Sequence, residues 1–215
     1  MRNIKKKSPP EAWQKHANAG GSYKDFTELD DARKALLLEQ GDLCCFCMCR
    51  IQMRAMKIAH WDPQSKNDTR SMDWQNVMGA CLGGDRDRHV VKHCDTAQGN
   101  TPIVVNPGDR EQDCERLIHY LADGRVQSEN PDINRDLDQT LNLNHEALKN
   151  RRLAIVDALR DRLKKLHGDG FWRESVLKDE LNAWGRPNKK GQLKEYCQVG
   201  IYWLEKKLKR RARAR

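Results

Sequence analysis

The sequence has no long hydrophobic run. Stretches such as KALLLEQ and IYWLEKK hold only a few consecutive apolar side chains, far short of the roughly 20 that a membrane-spanning helix needs. The opening MRNIKKKSPPEAW is basic but has no apolar stretch after it, so no secretory leader is expected, and the chain reads as soluble and cytoplasmic with no membrane partner. No glycine loop ending in Lys-Ser or Lys-Thr occurs, which excludes a P-loop phosphate cradle and assigns any ATP chemistry to another chain. No internal repeat is visible. The last ten residues, KKLKRRARAR, contain no acid.

That last absence explains most of the net charge of +9. Lys206, Lys207, Lys209, Arg210, Arg211, Arg213 and Arg215 supply seven of the nine charges, so residues 1–205 are nearly neutral. The tail is either a solvated, frayed terminus or a cationic arm for phosphate backbones or an acidic partner. At 215 residues one core with a helical annex is expected rather than two equal domains.

The coarse organisation follows from periodicity. Phe26 to Gln40 reads as an amphipathic helix stopped by Gly41 after an irregular start, giving an N-terminal helical segment over 1–42. From 43 to 107 the chain changes to short apolar pieces broken by Gly, Asp, Asn and Pro, a small loop-rich module. RLIHYLADGRVQS predicts a hairpin around Asp-Gly. Helices are expected over Asn142 to His167, with Leu148, Ile155, Leu159, Leu163 and Leu166 in period, over Phe171 to Ala183, and over Val199 to Leu208. These make a C-terminal unit over 108–205, followed by the basic tail over 206–215.

Eight cysteines in an intracellular chain point to metal or free thiols rather than disulfides, and six of them lie between positions 44 and 94. In LCCFCMCRIQ the two-residue spacing that grips one side of a tetrahedral zinc selects Cys44 and Cys47. Cys81 and Cys94 would close a structural zinc site, although twelve residues separate them where a compact knuckle has two. His89 or His93 could replace a cysteine, and four buried thiols acting as small hydrophobes are the alternative. Cys114 and Cys197 read as buried, idle thiols. His16, His119, His145 and His167 lack ligand-spaced neighbours and read as structural. Trp61 and Trp74 read as wedges rather than base-stacking platforms.

KIAHWDPQS places His60 about a dozen residues after the first cysteine pair, and DWQNVMGAC places Asn76 five residues before Cys81. Alone, His60 would be an ordinary core histidine. The order Cys-Cys, His, Asn, Cys, Cys resembles the ββα-metal or HNH nuclease module, often carrying a cysteine-bound structural zinc. LLLEQGDLCCFCMCRI, KIAHWDPQS, DWQNVMGACLGG, HCDTAQGN, IVVNP, LNLNHEALKNRR and CQVGIYWLEKKLKRR extend the resemblance over nearly the whole chain to the PtuB-like HNH endonucleases. These belong to Septu anti-phage and retron-associated defence systems.

The resemblance implies an α+β fold, a ββα-metal module embedded in a mainly helical chain. It implies His60 as general base and Asn76 holding the loop that orients it, with a helix cap before VMGAC as the plainer reading of Asn76. It also implies a catalytic divalent cation, magnesium or manganese, at Asp95, with the adjacent His93 the alternative ligand. The implied partners are a PtuA-like ATPase, a nucleic-acid substrate that is DNA or else RNA such as transfer RNA, and a retron reverse transcriptase with its msDNA. Lys206, Lys207, Lys209, Arg210 and Arg211 would bind nucleic acid or the partner. Two departures stand out: Ala59 occupies the position before the histidine where a metal ligand is common, with Asp62 a possible substitute, and Gln98 stands where a lysine is usual. A zinc-stabilised binding module without catalysis is the competing expectation.

Overall fold

A computed structural model describes residues 1–65, 68–85, 87–169 and 171–213. Pro10 cannot continue a helix backwards and sits at φ −55°, ψ 148°, so helix α1 (Glu11–Asn18) starts directly after it with Glu11 at its positive end. The sequence gives this eight-residue helix too few turns to register as periodic. It buries Trp13, whose indole N–H donates to the Met72 carbonyl at 2.9 Å.

Helix α2 (Leu29–Gln40) has Asp30 and Asp31 in its first turn and ends at Gly41 in the left-handed conformation, as expected. It buries Ala32, Leu36 and Leu37 against a two-stranded antiparallel sheet of β1 (Lys57–His60) and β2 (Val77–Ala80). Gln40 acts as a surrogate strand edge: its amide oxygen accepts from Gly79 N–H at 2.6 Å and its amide nitrogen donates to the Gly79 carbonyl at 2.8 Å. Beside it lies a buried ion pair, Lys6 to Glu39 at 2.7 Å, in which Lys6 also donates to the Val77 carbonyl. VMGAC is thus a strand end, and the helix-cap reading of Asn76 is corrected. A single turn, α3 (Asp95–Gln98), follows.

After α4 (Cys114–Leu117), the predicted hairpin forms from β3 (His119–Tyr120) and β4 (Val126–Gln127). Helix α5 (Pro131–Arg135), capped by the Asn130 side chain, runs into a wider π turn over Asp136–Thr140. Helix α6 (Glu146–His167) starts later than its periodicity suggests. The reason is Asn144, whose side chain is engaged in bonding both Val126 N–H and C=O. Its stripe buries Leu148, Leu159 and Leu163, but Leu166 is exposed.

Helices α7 (Glu174–Gly185) and α8 (Cys197–Arg213) pack closely because Gly200 lies under the Trp184 ring, where a Cβ would come within 2.5 Å of Cε3. Helix α8 runs five residues past Leu208, so Lys206 to Arg213 are its last turns rather than a separate tail; Arg215 lies outside the described residues. The fold is mixed helix and sheet, and among the described residues no helix is long and apolar enough to cross a membrane.

Candidate functional site

Residues 43–50 fold back on themselves, with Leu43 bridging Arg50, Cys44 N–H donating to the Cys49 carbonyl at 2.9 Å, and Met48 N–H donating to the Cys44 carbonyl at 3.0 Å. Met48 turns the corner at φ 66°. Cys81 leaves the end of β2 and Cys94 precedes α3. The twelve residues between them form an excursion pinned at its neck, where His93 N–H donates to the Gly83 carbonyl at 3.1 Å. Only glycine fits there, since a Cβ at position 83 would sit 2.1 Å from the His93 carbonyl oxygen.

The Sγ atoms of Cys44, Cys47, Cys81 and Cys94 thereby lie within 4.8 Å of one another, all buried, with Cys47 and Cys81 3.9 Å apart. Tetrahedral zinc with bonds of about 2.3 Å requires sulfurs about 3.8 Å apart. Four buried thiols that close on one point suit a structural metal ion such as zinc. Cys45 and Cys49 are buried outside this group, and burial pushes the Cys45 thiol well up. Burial likewise raises the Cys114 thiol to about 12.

His93 lies against the sulfur group and does not line the cleft that holds Asp95. Its Nδ1 lies 3.2 Å from Cys94 Sγ and 3.9 Å from Cys81 Sγ, and its ring stacks on His145 with centroids 4.9 Å apart. His89 is exposed and outside the sulfur group. Cys94, at φ 56°, turns the chain between two destinations: its sulfur enters the cluster, while Asp95 lines an open cleft of about 590 Å³ shared with Lys24, Ile58, His60, Pro63, Gln64 and Asn100.

His60 ends β1, paired with Val77 and only 7% exposed. Its Nε2 lies 2.9 Å from the Ser71 carbonyl oxygen, which can only accept, so the proton resides on Nε2. Nδ1 is then a lone-pair acceptor, and it takes a hydrogen bond from the Gln64 amide at 2.9 Å. Burial lowers the imidazole pKa below its ordinary value, with the Ser71 bond opposing. Tyr23 meets the ring edge-on, centroids 4.7 Å apart.

Asn76 is fully buried and ties down both ends of the loop that follows His60. Its Oδ1 accepts from Asp62 N–H at 2.8 Å, and its Nδ2 donates to the carbonyls of Asp62 and Arg70, each at 3.0 Å. An aspartate could not make the two donations. Asp62 faces Arg70 at 3.5 Å and is not among the residues lining the cleft. Ala59 is 1% exposed and, by strand alternation, faces away from Ile58 and His60. Among the described residues the cleft has a single carboxylate, Asp95, which burial pushes up to about 6 against the opposing charge of Lys57, 3.8 Å away.

Gln98 is 2% exposed and donates to the Trp61 carbonyl at 3.2 Å, bracing α3 on the exit of β1 instead of reaching a phosphate. Trp74 is a buried wedge, edge-on to Trp13 and bonded to Glu39. The basic residues of α8 lie apart from both centres, with Arg211 donating to the Trp172 carbonyl and Lys207 over the Trp203 ring. Gln64, Ser71 and Tyr23 are contributors that sequence reasoning missed. Only Gln64, one turn beyond the histidine in the same stretch, left a trace. No protein-family profile and no curated protein matches this chain.

Proposed function

We propose that the protein is a metal-dependent endonuclease of HNH type, hydrolysing phosphodiester bonds with His60 as general base. The observation that carries this is the single imidazole whose proton is fixed on Nε2 by Ser71 while Nδ1 opens on a cleft beside Asp95. A neutral imidazole with a lowered pKa takes a proton from water at neutral pH, a contribution of about 10²–10⁴ in rate. Nδ1 accepts the proton as the water oxygen bonds to phosphorus and the ester oxygen departs. Gln64, now donating to Nδ1, occupies the position of that water. Asn76 keeps the loop, and hence Ser71 and Gln64, in register.

The donor set suits a hard cation such as magnesium or manganese, which binds through one or two carboxylates together with substrate phosphates. When bound at Asp95 it would supply charge neutralisation on the phosphate oxygens. The thiolate centre is too closed and too soft for that task.

The near-neutral body and the missing P-loop support action in complex with a PtuA-like ATPase in anti-phage defence, including the retron-associated form. DNA is the proposed substrate, with transfer RNA the alternative for the same site. The second reading, a zinc-stabilised binding module without catalysis, is favoured by one feature, the buried Ala59 and the lone carboxylate it leaves. Incubating the purified chain and its ATPase with duplex DNA or transfer RNA in magnesium or manganese separates them. Cutting that His60→Ala abolishes, with the complex intact, supports the nuclease. Cutting that survives His60→Ala, or none by the intact complex, overturns it.

A further inference from the structure

Helices α6 and α8 face each other across a second hollow, closed at one end by the β3–β4 hairpin and sharing no lining residue with the His60 cleft. Its floor is apolar and aromatic around one buried guanidinium, Arg152, which is spent on the carbonyls of Gly124 and Leu143. Val156 comes from α6, and Tyr202 and Trp203 from α8. Its mouth is cationic, with Arg160 one turn beyond Val156, and Lys206, Lys207 and Arg210 one and two turns beyond the aromatics. The one acid on the lining, Asp157, is already paired with Arg160 at 3.0 Å.

Among the described residues, Lys206, Lys207 and Arg210 have no acid at the hollow. Lys207 lies 5.1 Å over the Trp203 ring, and its pKa is lowered by burial and then by Arg210 and Arg160. Like charges gathered at the rim of an apolar hollow repel one another, a cost that a bound anion relieves. The volume, about 250 Å³, falls below the roughly 300 Å³ at which pockets for drug-sized molecules begin. One planar ring with its sugar fits, whereas a helix or folded peptide does not.

We propose that this hollow binds a nucleoside phosphate, with the base against Trp203 and Tyr202 and the phosphate on Arg210, Lys206 and Arg160. Aromatic walls accept any base face, because stacking uses the π surface and not the edges. The arginine forks match phosphate oxygens in pairs. The ligand is either a free nucleotide or the phosphorylated end of a strand. The inference does not depend on the proposed nuclease activity, since His60 and Asp95 take no part in it.

Calorimetric titration of the full-length protein tests it, with 2′-deoxyadenosine 5′-monophosphate as probe and inorganic phosphate as control. The nucleotide should bind and phosphate should bind at least about tenfold more weakly, because stacking on one base is worth about that much or more. Val156→Phe, which fills the floor, and the exposed pair Lys206→Gln with Arg210→Gln should each weaken nucleotide binding about tenfold. His60→Ala should leave it unchanged. If Val156→Phe disturbs the fold, the double glutamine variant alone decides.

A 5′-phosphorylated tetranucleotide binding more tightly than the mononucleotide, with the same sensitivity to the variants, assigns the site to a strand end. Equal binding assigns it to a free nucleotide. No nucleotide binding, equal binding of phosphate, or indifference to both sets of substitutions overturns the proposal. Displacement by a hexaglutamate peptide as effective as the nucleotide also overturns it, and gives the groove to an acidic protein segment.

Discussion

Cys94 and Asp95 are neighbours in the chain, yet they serve two regions built on opposite plans. The thiolate centre is complete: four ligands of one kind converge, all buried. The His60 cleft is open and, among the described residues, has one carboxylate beside one imidazole. Where a metal holds a fold together, the protein supplies the whole coordination sphere; where a cation would meet substrate, the protein leaves most positions to water and phosphate.

The largest test of that contrast falls on the closed centre. Cys47→Ser or Cys94→Ser should lower the bound metal, measured by elemental analysis, and unfold the segment from Leu43 to Pro107, measured by circular dichroism and proteolysis. Structural zinc sites contribute about 10–16 kcal/mol in peptide systems. On the open side, His60→Ala should reduce cleavage about 10²–10⁴-fold with metal content and thermal midpoint unchanged. A variant that also lowers the metal bound by the four cysteines would show that the two regions are not separable.

Asn76→Ala should sit between these. It leaves the Asp62 N–H and the carbonyls of Asp62 and Arg70 without their partner, a cost of about 1–3 kcal/mol, readable by urea denaturation, and it should impair cleavage without releasing the structural metal. The pH profile tests the cleft more gently. Because the folded-state pKa of His60 lies below its ordinary 6.5, the neutral base persists to lower pH, and the acidic limb of cleavage should fall below 6.5, lost as pH drops through the folded value. Smallest of all, Ala59→Asp should leave affinity for the catalytic cation unchanged, because that side chain points into the core. Tighter manganese binding in a titration would break the contrast.

Much of the closed centre was legible because a two-residue cysteine spacing is a local property. Its second half was harder, since nothing in the composition of the excursion says that Gly83 and His93 pin its neck. Asn76 could be placed by motif order, but its three hydrogen bonds depend on a loop whose path the sequence does not give. Ser71 contributes a backbone carbonyl, which any residue could supply, so it had no signature. His93 adjoins Asp95 in sequence yet sits against the sulfurs, because the turn at Cys94 separates side chains that are close along the chain. The sequence predicts a helix only to Leu208, with the run of cations as a tail beyond it. Contacts the sequence hides, Lys207 over Trp203 and Arg211 bonded to Trp172 and over Phe171, extend the helix to Arg213.

The backbone of Cys94, at φ 56° and ψ −140°, is a conformation that side chains other than glycine rarely adopt, at a cost of about 1–3 kcal/mol. Its N–H is held by the Leu141 carbonyl at 2.8 Å and its sulfur by the cluster, so the conformation has support on both sides. Metal at the thiolates and a cation at Asp95 would both act on this one hinge residue. Thermodynamic reciprocity would then return, by the same factor, any affinity that a metal at the thiols lent to a cation at Asp95.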